Sequence, residues 1–375
     1  MTRTLRTALL SALMLPALLA GTARADVIYL ADGSTLSDVE IKTEALSGVT
    51  YEQKGKSGVQ TLDPDKVLSI EYKRMPSLLD QADALARDGA LNDAIDRFNI
   101  FVEGVASGEN KKDRQAWAPA YAMQRVIELR TSLGDAEGVV KAAEALLAKA
   151  PDSRHAPDAQ LAKAEALKGL GKDSQATQAL EDLRRMIDAK ALSKRWTLEL
   201  QLAEVLFDAS LKGQAKRDRL IEIAGQAGRT YPAVANRARV AEGETYLEGS
   251  KPDFASASKV FEKIVADPKA DDATLAGAYT GMGDCLFHEA AGKGSGSPEA
   301  KKDLEAALMA YMRVAVNYRD QTRYAPKAMF YAGRSLDLLG EGDETVKANA
   351  RRLYGTVIAN YPSSDWAREA RNFRR

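Results

Sequence analysis

Cysteine is almost absent. Cys285 is the only one in 375 residues, which excludes an intramolecular disulfide. It lies in Gly283-Asp284-Cys285-Leu286-Phe287, a helical context that reads as a small buried hydrophobe rather than a reactive thiol. Histidine is nearly as scarce: His155 and His288 cannot combine with one cysteine into a His/Cys metal site, and no His-Glu-x-x-His occurs. No metal and no cofactor are therefore expected. Three glycine-lysine pairs, at Gly55-Lys56, Gly171-Lys172 and Gly292-Lys293, each lack the glycine five residues earlier that a phosphate loop needs. Thr50, Ala166 and Phe287 stand there instead, so the pairs read as turns. No Gly-x-Ser-x-Gly nucleophile elbow is present.

Net charge is also missing, since 53 Lys+Arg balance 53 Asp+Glu. That argues against a phosphate-binding surface. The basic runs Lys216-Arg217-Asp218-Arg219, Arg351-Arg352 and Arg371 to Arg375 are short, lie near acids and read as solvated helix faces. Carboxylate pairs such as Glu242/Glu244 and Asp271-Asp272 are what so many acids give by chance. Asp271-Asp272 is expected to cap a helix. Asp32, Asp63 and Asp65 read as turn chemistry, not as a calcium loop. No residue is singled out as catalytic.

Long apolar runs are confined to the first residues. Arg3 and Arg6 form a positive start, Ala8 to Ala20 is nearly all Ala and Leu, and Ala23-Arg24-Ala25 offers a small-x-small cleavage site before Asp26. Residues 1–25 thus read as a signal peptide, cleaved or retained, and the run is short for a membrane span. Cleavage would leave 50 basic against 53 acidic residues, a net charge near −3. A lipoprotein needs a cysteine directly after its leader, and Asp26 stands there. The expectation is a soluble periplasmic or secreted protein without stable membrane insertion, and without a nucleic-acid partner.

The texture changes near Pro76. Five short runs precede it, Val27–Leu30, Thr35–Ile41, Val49–Tyr51, Val59–Leu62 and Val67–Tyr72, with a hairpin signal at Asp32-Gly33 and a turn at Gly55–Gly58. Five strands in so few residues predict a small closed β-barrel over 26–75. In length and strand-Asp-Gly-strand opening it resembles SH3-like or Sm-like barrels. Such a barrel can pair with a partner or dock on the first helical hairpin.

After Pro76 the apolar period becomes helical, as in Ala325, Ala328, Met329, Ala332, Leu336 and Leu339. Pro119, Pro157, Pro232 and Pro326 sit where first helical turns tolerate proline. Pro151, Pro268 and Pro362 read as stops. Helix starts near 119, 157, 194, 232, 271, 323 and 364 are separated by 38, 37, 38, 39, 52 and 41 residues, the long step holding a flexible insertion at Gly292–Ser297. A period of that size predicts stacked helical hairpins.

One unit reads Ala241-Glu242-Gly243-Glu244-Thr245-Tyr246, then Ala255, Phe261 and Pro268. Gly281 or Gly283 with Ala307 and Tyr311, and Gly333 with Ala350 and Tyr354, repeat it more loosely. Residues 77–375 on these motifs resemble the tetratricopeptide-repeat superfamily. The resemblance implies a mostly α fold, a right-handed α-solenoid of antiparallel helix hairpins, with the aromatic plugging the space between hairpins and the small residues letting helices approach. Asn360-Tyr361-Pro362-Ser363-Ser364-x-x-Ala367-x-x-Ala370, echoed at Thr230-Tyr231-Pro232, is similar to periplasmic members that act in outer-membrane protein assembly and in coordinating envelope constriction. In such solenoids the first helix of each hairpin lines a concave face. Tyr324, Lys327, Tyr331 and Arg334, at i, i+3, i+7 and i+10, are candidate partner-binding residues there; the alternative is that the tyrosines plug the gap to the next hairpin.

The functional expectation is a non-enzymatic envelope scaffold that binds protein partners through a helical-repeat groove. Two alternatives stay open: a permanent structural subunit of an envelope complex, which a long apolar strip on the convex side would favour, and a peptidoglycan- or glycan-binding or hydrolysing protein on a repeat scaffold, which needs carboxylates with divergent pKa values in a cleft. A small-molecule binder would need a closed pocket. Partner, oligomeric state and the role of the N-terminal strands are not legible.

Overall fold

A computed structural model of the chain describes residues 25–107, 115–268, 270–294 and 296–374. The leader reading falls on 1–24, outside the described residues. The chain is mostly helical, with one small antiparallel sheet at its N-terminal end.

The strands are β1 (Asp26–Leu30), β2 (Thr35–Ala45), β3 (Gly48–Gln53), β4 (Gln60–Leu62) and β5 (Val67–Glu71), ordered β4-β3-β2-β1-β5. The strand runs were legible, but the expected closed barrel is not formed: β4 and β5 are opposite edges of an open sheet. The physical reason is that closure is not needed to cover the apolar face. Ile28, Val39, Ile41, Val49 and Tyr51 join one core with Leu79, Ala82, Phe98, Trp117 and Met123 of the helical part. Nor can β4 offer much pairing, being three residues long, and Pro64 lacks an N–H in the single 3-10 turn that leads into β5.

Fifteen helices are described: α1 (Ser77–Arg87), α2 (Leu91–Ser107), α3 (Ala118–Ser132), α4 (Ala136–Lys149), α5 (Ala156–Gly169), α6 (Asp173–Lys190), α7 (Lys194–Phe207), α8 (Gly213–Ala227), α9 (Pro232–Thr245), α10 (Phe254–Val265), α11 (Asp272–Lys293), α12 (Pro298–Asn317), α13 (Ala325–Leu339), α14 (Glu344–Asn360) and α15 (Asp365–Phe373). The helix starts read from the sequence fall within two residues of those of α3, α5, α7, α9, α11, α13 and α15. Pro119, Pro157, Pro232 and Pro326 occupy first turns, and Asp271 caps α11 by accepting from Thr274 N at 2.8 Å. The long step differs in part from its reading. Gly292 and Lys293 are helical, and α11 and α12 run to 22 and 20 residues; Gly294, Gly296 and Ser297 of the expected insertion lie between the two helices, and Ser295 falls outside the described residues.

Each helix packs chiefly on its neighbours in the chain, and the odd-numbered helices also touch one another in succession from α3 to α15. Small residues set the spacing. A Cβ on Gly243 of α9 would lie 2.5 Å from Phe261 Cε1, and one on Gly281 of α11 would lie closer still, so the fully buried Phe261 ring of α10 is held between two bare stretches of helix. Tyr311 sits against Gly283 and Tyr354 against Gly333 in the same way, with prospective Cβ distances of 2.5 and 2.6 Å. Aromatic residues of the even helices therefore fill the space that odd-helix glycines leave.

The sheet shares its core with the first hairpin through Leu79, Ala82 and Phe98, and it also reaches the second and third. Leu46 N donates to Asp152 O at 2.8 Å and Arg154 N to Glu44 O at 3.2 Å, so the β2–β3 turn pairs with the α4–α5 loop. Tyr72 stacks on Trp117 with ring centroids 3.6 Å apart. Beneath this contact Glu44, its side chain 1% exposed, takes hydrogen bonds from Tyr72 and Arg154. His155 Nε2 lies 3.9 Å from Glu44 Oε2, buried and without a hydrogen-bond partner. Burial, and then the neighbouring Arg154, push the imidazole down to about 3, so it is neutral.

Candidate binding groove

The odd helices share a concavity. One cleft of about 440 Å³ is lined by Gln124 and Glu128 from α3, Glu165 from α5, Arg237 from α9 and Tyr324 at the head of α13. The array curves back far enough that Thr322 Oγ1 donates to Thr131 O at 3.2 Å across 191 residues. A second cleft, of about 1160 Å³, adjoins it through Gln124, Glu128 and Asp158 and runs between α1, α3 and strand β5.

Charges on this concave wall pair from one odd helix to the next. Asp83 of α1 accepts from Arg125 Nε at 3.1 Å and from Tyr121 OH at 2.7 Å, both on α3. Arg195 of α7 lies 3.7 Å from Asp158 of α5 and 3.6 Å from Asp65 of the strand segment. Arg237 of α9 donates to Glu199 of α7 at 2.7 Å and to Glu165 of α5 at 3.0 Å. Arg323, just before α13, reaches Glu244 of α9 at 3.9 Å, and Lys327 of α13 bonds Asp284 of α11 at 2.6 Å. These pairs fix neighbouring helices in register and leave the wall nearly neutral. Burial raises two acids of this wall: Asp158 goes up to about 6, by desolvation that Arg195 only partly offsets, and Glu244 is raised for the same first reason.

Of the four residues read as partner-binding, none is a free projection into the groove. Tyr331 is half-buried in an aromatic cluster, 5.0 Å from the Phe287 ring, 5.5 Å from Trp366 and stacked on Tyr311 at 5.7 Å. Lys327, besides holding Asp284, lies about 6 Å over both Tyr331 and Trp366. Burial pulls its ammonium down, but Asp284 outweighs that and leaves it raised. Arg334 lies over Phe373 at 4.1 Å, on the helix that ends the array. Tyr324 is half-buried against α11, where Gly277 gives it room. Tyr331 thus packs between hairpins, as the alternative reading had it, and Tyr324 alone of the four lines the shared cleft.

The wall residues Asp83, Arg125, Asp158, Arg195, Glu199 and Arg237 were missed in the sequence. A signal did exist: Asp158 and Arg195 are 37 residues apart and Glu199 and Arg237 are 38, one hairpin step each. Cys285 is fully buried, and burial pushes its thiol up to about 11, as expected of a structural side chain. Among the described residues no group of three or more His, Cys, Asp or Glu side chains is placed to hold a metal ion. No helix among them is long and apolar enough to cross a membrane. The chain matches no protein-family model and no curated protein.

Proposed function

We propose that this chain is an exported, non-enzymatic scaffold, a right-handed tetratricopeptide-like solenoid with an appended sheet, that captures protein segments in its concave groove during cell-envelope assembly or maintenance. The observation that carries the reading is the succession of touching odd helices from α3 to α15, several of which line one cleft, with aromatic side chains of the even helices seated on odd-helix glycines. The tetratricopeptide reading rests on that packing together with the Gly-x-x-Tyr unit at Gly243–Tyr246. The charge pattern favours polypeptide over polyanion, because the basic side chains of the wall are matched by acids. The permanent-subunit reading draws less support: the large exposed apolar residues of the even helices, Ile100 on α2, Ile221 on α8, and Met309 and Val316 on α12, fall on helices that are not neighbours and so form no continuous strip.

The test is site-specific photo-crosslinking in the native envelope fraction. A crosslinker replaces Gln124, which lines both clefts, or Ile221, 47% exposed on α8. A discrete protein adduct from position 124 but not 221 is the expected result. An adduct from 221 alone moves the interface to the outer face and overturns groove capture.

A further inference from the structure

Every sheet that is not closed leaves edges, and the two edges here are unequal. β4 is three residues long, which limits pairing. β5 runs five residues, Val-Leu-Ser-Ile-Glu, and contains neither lysine nor proline, the residues that usually blunt an edge. It pairs on one side only, with β1 through Val27↔Glu71, Ile28↔Ile70 and Tyr29↔Ser69. Residues 67–73 line the larger cleft, together with Val27 of β1, Ser37 and Asp38 of β2, α1, α3 and the start of α5. Leu68 is 70% exposed there, the most exposed large apolar residue described.

We propose that β5 is a docking edge for one extended segment of a partner polypeptide, which adds as a sixth strand inside the concavity. The proposal rests on the groove-capture reading and names the conformation of what is captured. Three observations select this occupant. The free edge offers a row of main-chain donors and acceptors that only another extended main chain complements. The cleft walls carry acids and bases in near balance, Asp80, Asp83 and Glu128 against Arg87 and Arg125, which suits a main chain and not a highly charged polymer. The space also fits. A strand residue occupies about 160 Å³, taking ~3.3 Å of rise, ~4.8 Å between strands and ~10 Å between layers. A cleft of about 1160 Å³ therefore takes about seven such residues, enough to span β5. A second copy's five-stranded sheet is larger than that space. An aliphatic side chain opposite Leu68 would cover the exposed apolar surface.

The experiment uses the full chain from residue 26 and heptapeptides selected on it from a displayed random library, with binding read by fluorescence anisotropy. Each selected peptide is remade with a single N-methyl amide at every position in turn. The expected signature is a period of two: methylation at alternate positions weakens binding tenfold or more, and at the positions between has little effect. Leu68→Lys, a change at a surface position that leaves the fold intact by circular dichroism, lowers affinity about tenfold. In hydrogen exchange the β5 amides gain protection when peptide binds. Peptides that bind but respond neither with that period nor to Leu68→Lys overturn the edge while leaving groove capture standing, and a Gln124 adduct with them identifies that case. A selection that yields no binder overturns the edge as well. A dimer in sedimentation velocity that Leu68→Lys dissolves assigns β5 to a second copy, and equally overturns the proposal.

Discussion

Gly281 and Gly292 lie eleven residues apart on the same helix, and alanine should have opposite effects at the two. In an exposed helix interior Gly→Ala gains about 1 kcal/mol, because alanine has less backbone freedom to lose. Gly292 has open space around it but lies in the last turn of α11, so Gly292→Ala should keep part of that gain. At Gly281 the new methyl meets the Phe261 ring. The ring has little room to retreat, because Gly243 on α9 lies against its Cε1–Cζ end as well. Overpacking of this kind costs about 1–3 kcal/mol, and confinement by two helices places it at the upper end. Set against the helical gain, Gly281→Ala should destabilise by about 2 kcal/mol. Phe261→Leu removes the obstructing ring edge at its own cost of about 1–2 kcal/mol for the space left. Combined with Gly281→Ala it should cost less than the sum, with a coupling of about 1–2 kcal/mol. Each helix packs chiefly on its chain neighbours, so the loss should be concentrated in α9–α12. The assay is urea unfolding followed by circular dichroism, with hydrogen exchange to locate the effect. Gly281→Ala as stable as Gly292→Ala, or additivity with Phe261→Leu, would refute the account of why these glycines are there.

The buried Glu44–Arg154 pair holds the sheet to the helices, so Arg154→Met, which strands the carboxylate, should destabilise by about 3–5 kcal/mol in denaturant melts, and adding Glu44→Leu should recover much of it. Two groups give pH effects of opposite sign. Asp158 has a folded pKa of about 6 against an unfolded value of 3.8, so the folded state holds the extra proton and stability falls as pH rises between these values; Asp158→Asn should be neutral below pH 4 and stabilising above pH 6 in thermal melts. His155 has a folded pKa of about 3 against 6.5 unfolded, so the unfolded state binds the proton and stability is lost as pH falls through that window; His155→Gln should flatten this limb of the stability profile. Cys285, buried and with its thiol raised to about 11, should react with a thiol reagent at pH 8 more than a hundredfold slower in the native protein than in urea; equal rates would contradict its burial.

The helical part was legible because its signals are local. Proline at a first turn, an aspartate that caps and an apolar stripe each act within four residues, so starts such as Ala118, Ala156 and Pro232 could be placed from sequence. The five strand runs were legible from alternation and turn chemistry for the same reason. Closure of the sheet was not, because whether β4 meets β5 depends on what else covers Ile28, Val39 and Val49, and the cover comes from helices up to about 100 residues downstream. The docking of Glu44 against Arg154 spans 110 residues and the Thr131–Thr322 bond 191, separations at which no local pattern operates. At the groove, the sequence indicated which helices would be first in each hairpin. Which of their polar side chains would pair with the next odd helix was decided by rotation about each helix axis, a tertiary quantity set by packing. Sequence alone therefore determined the helical periodicity, the strand runs and the single buried cysteine. The open β5 edge, the neutralised wall and the inward turn of Tyr331 exist only because distant elements compete to cover the same apolar surface.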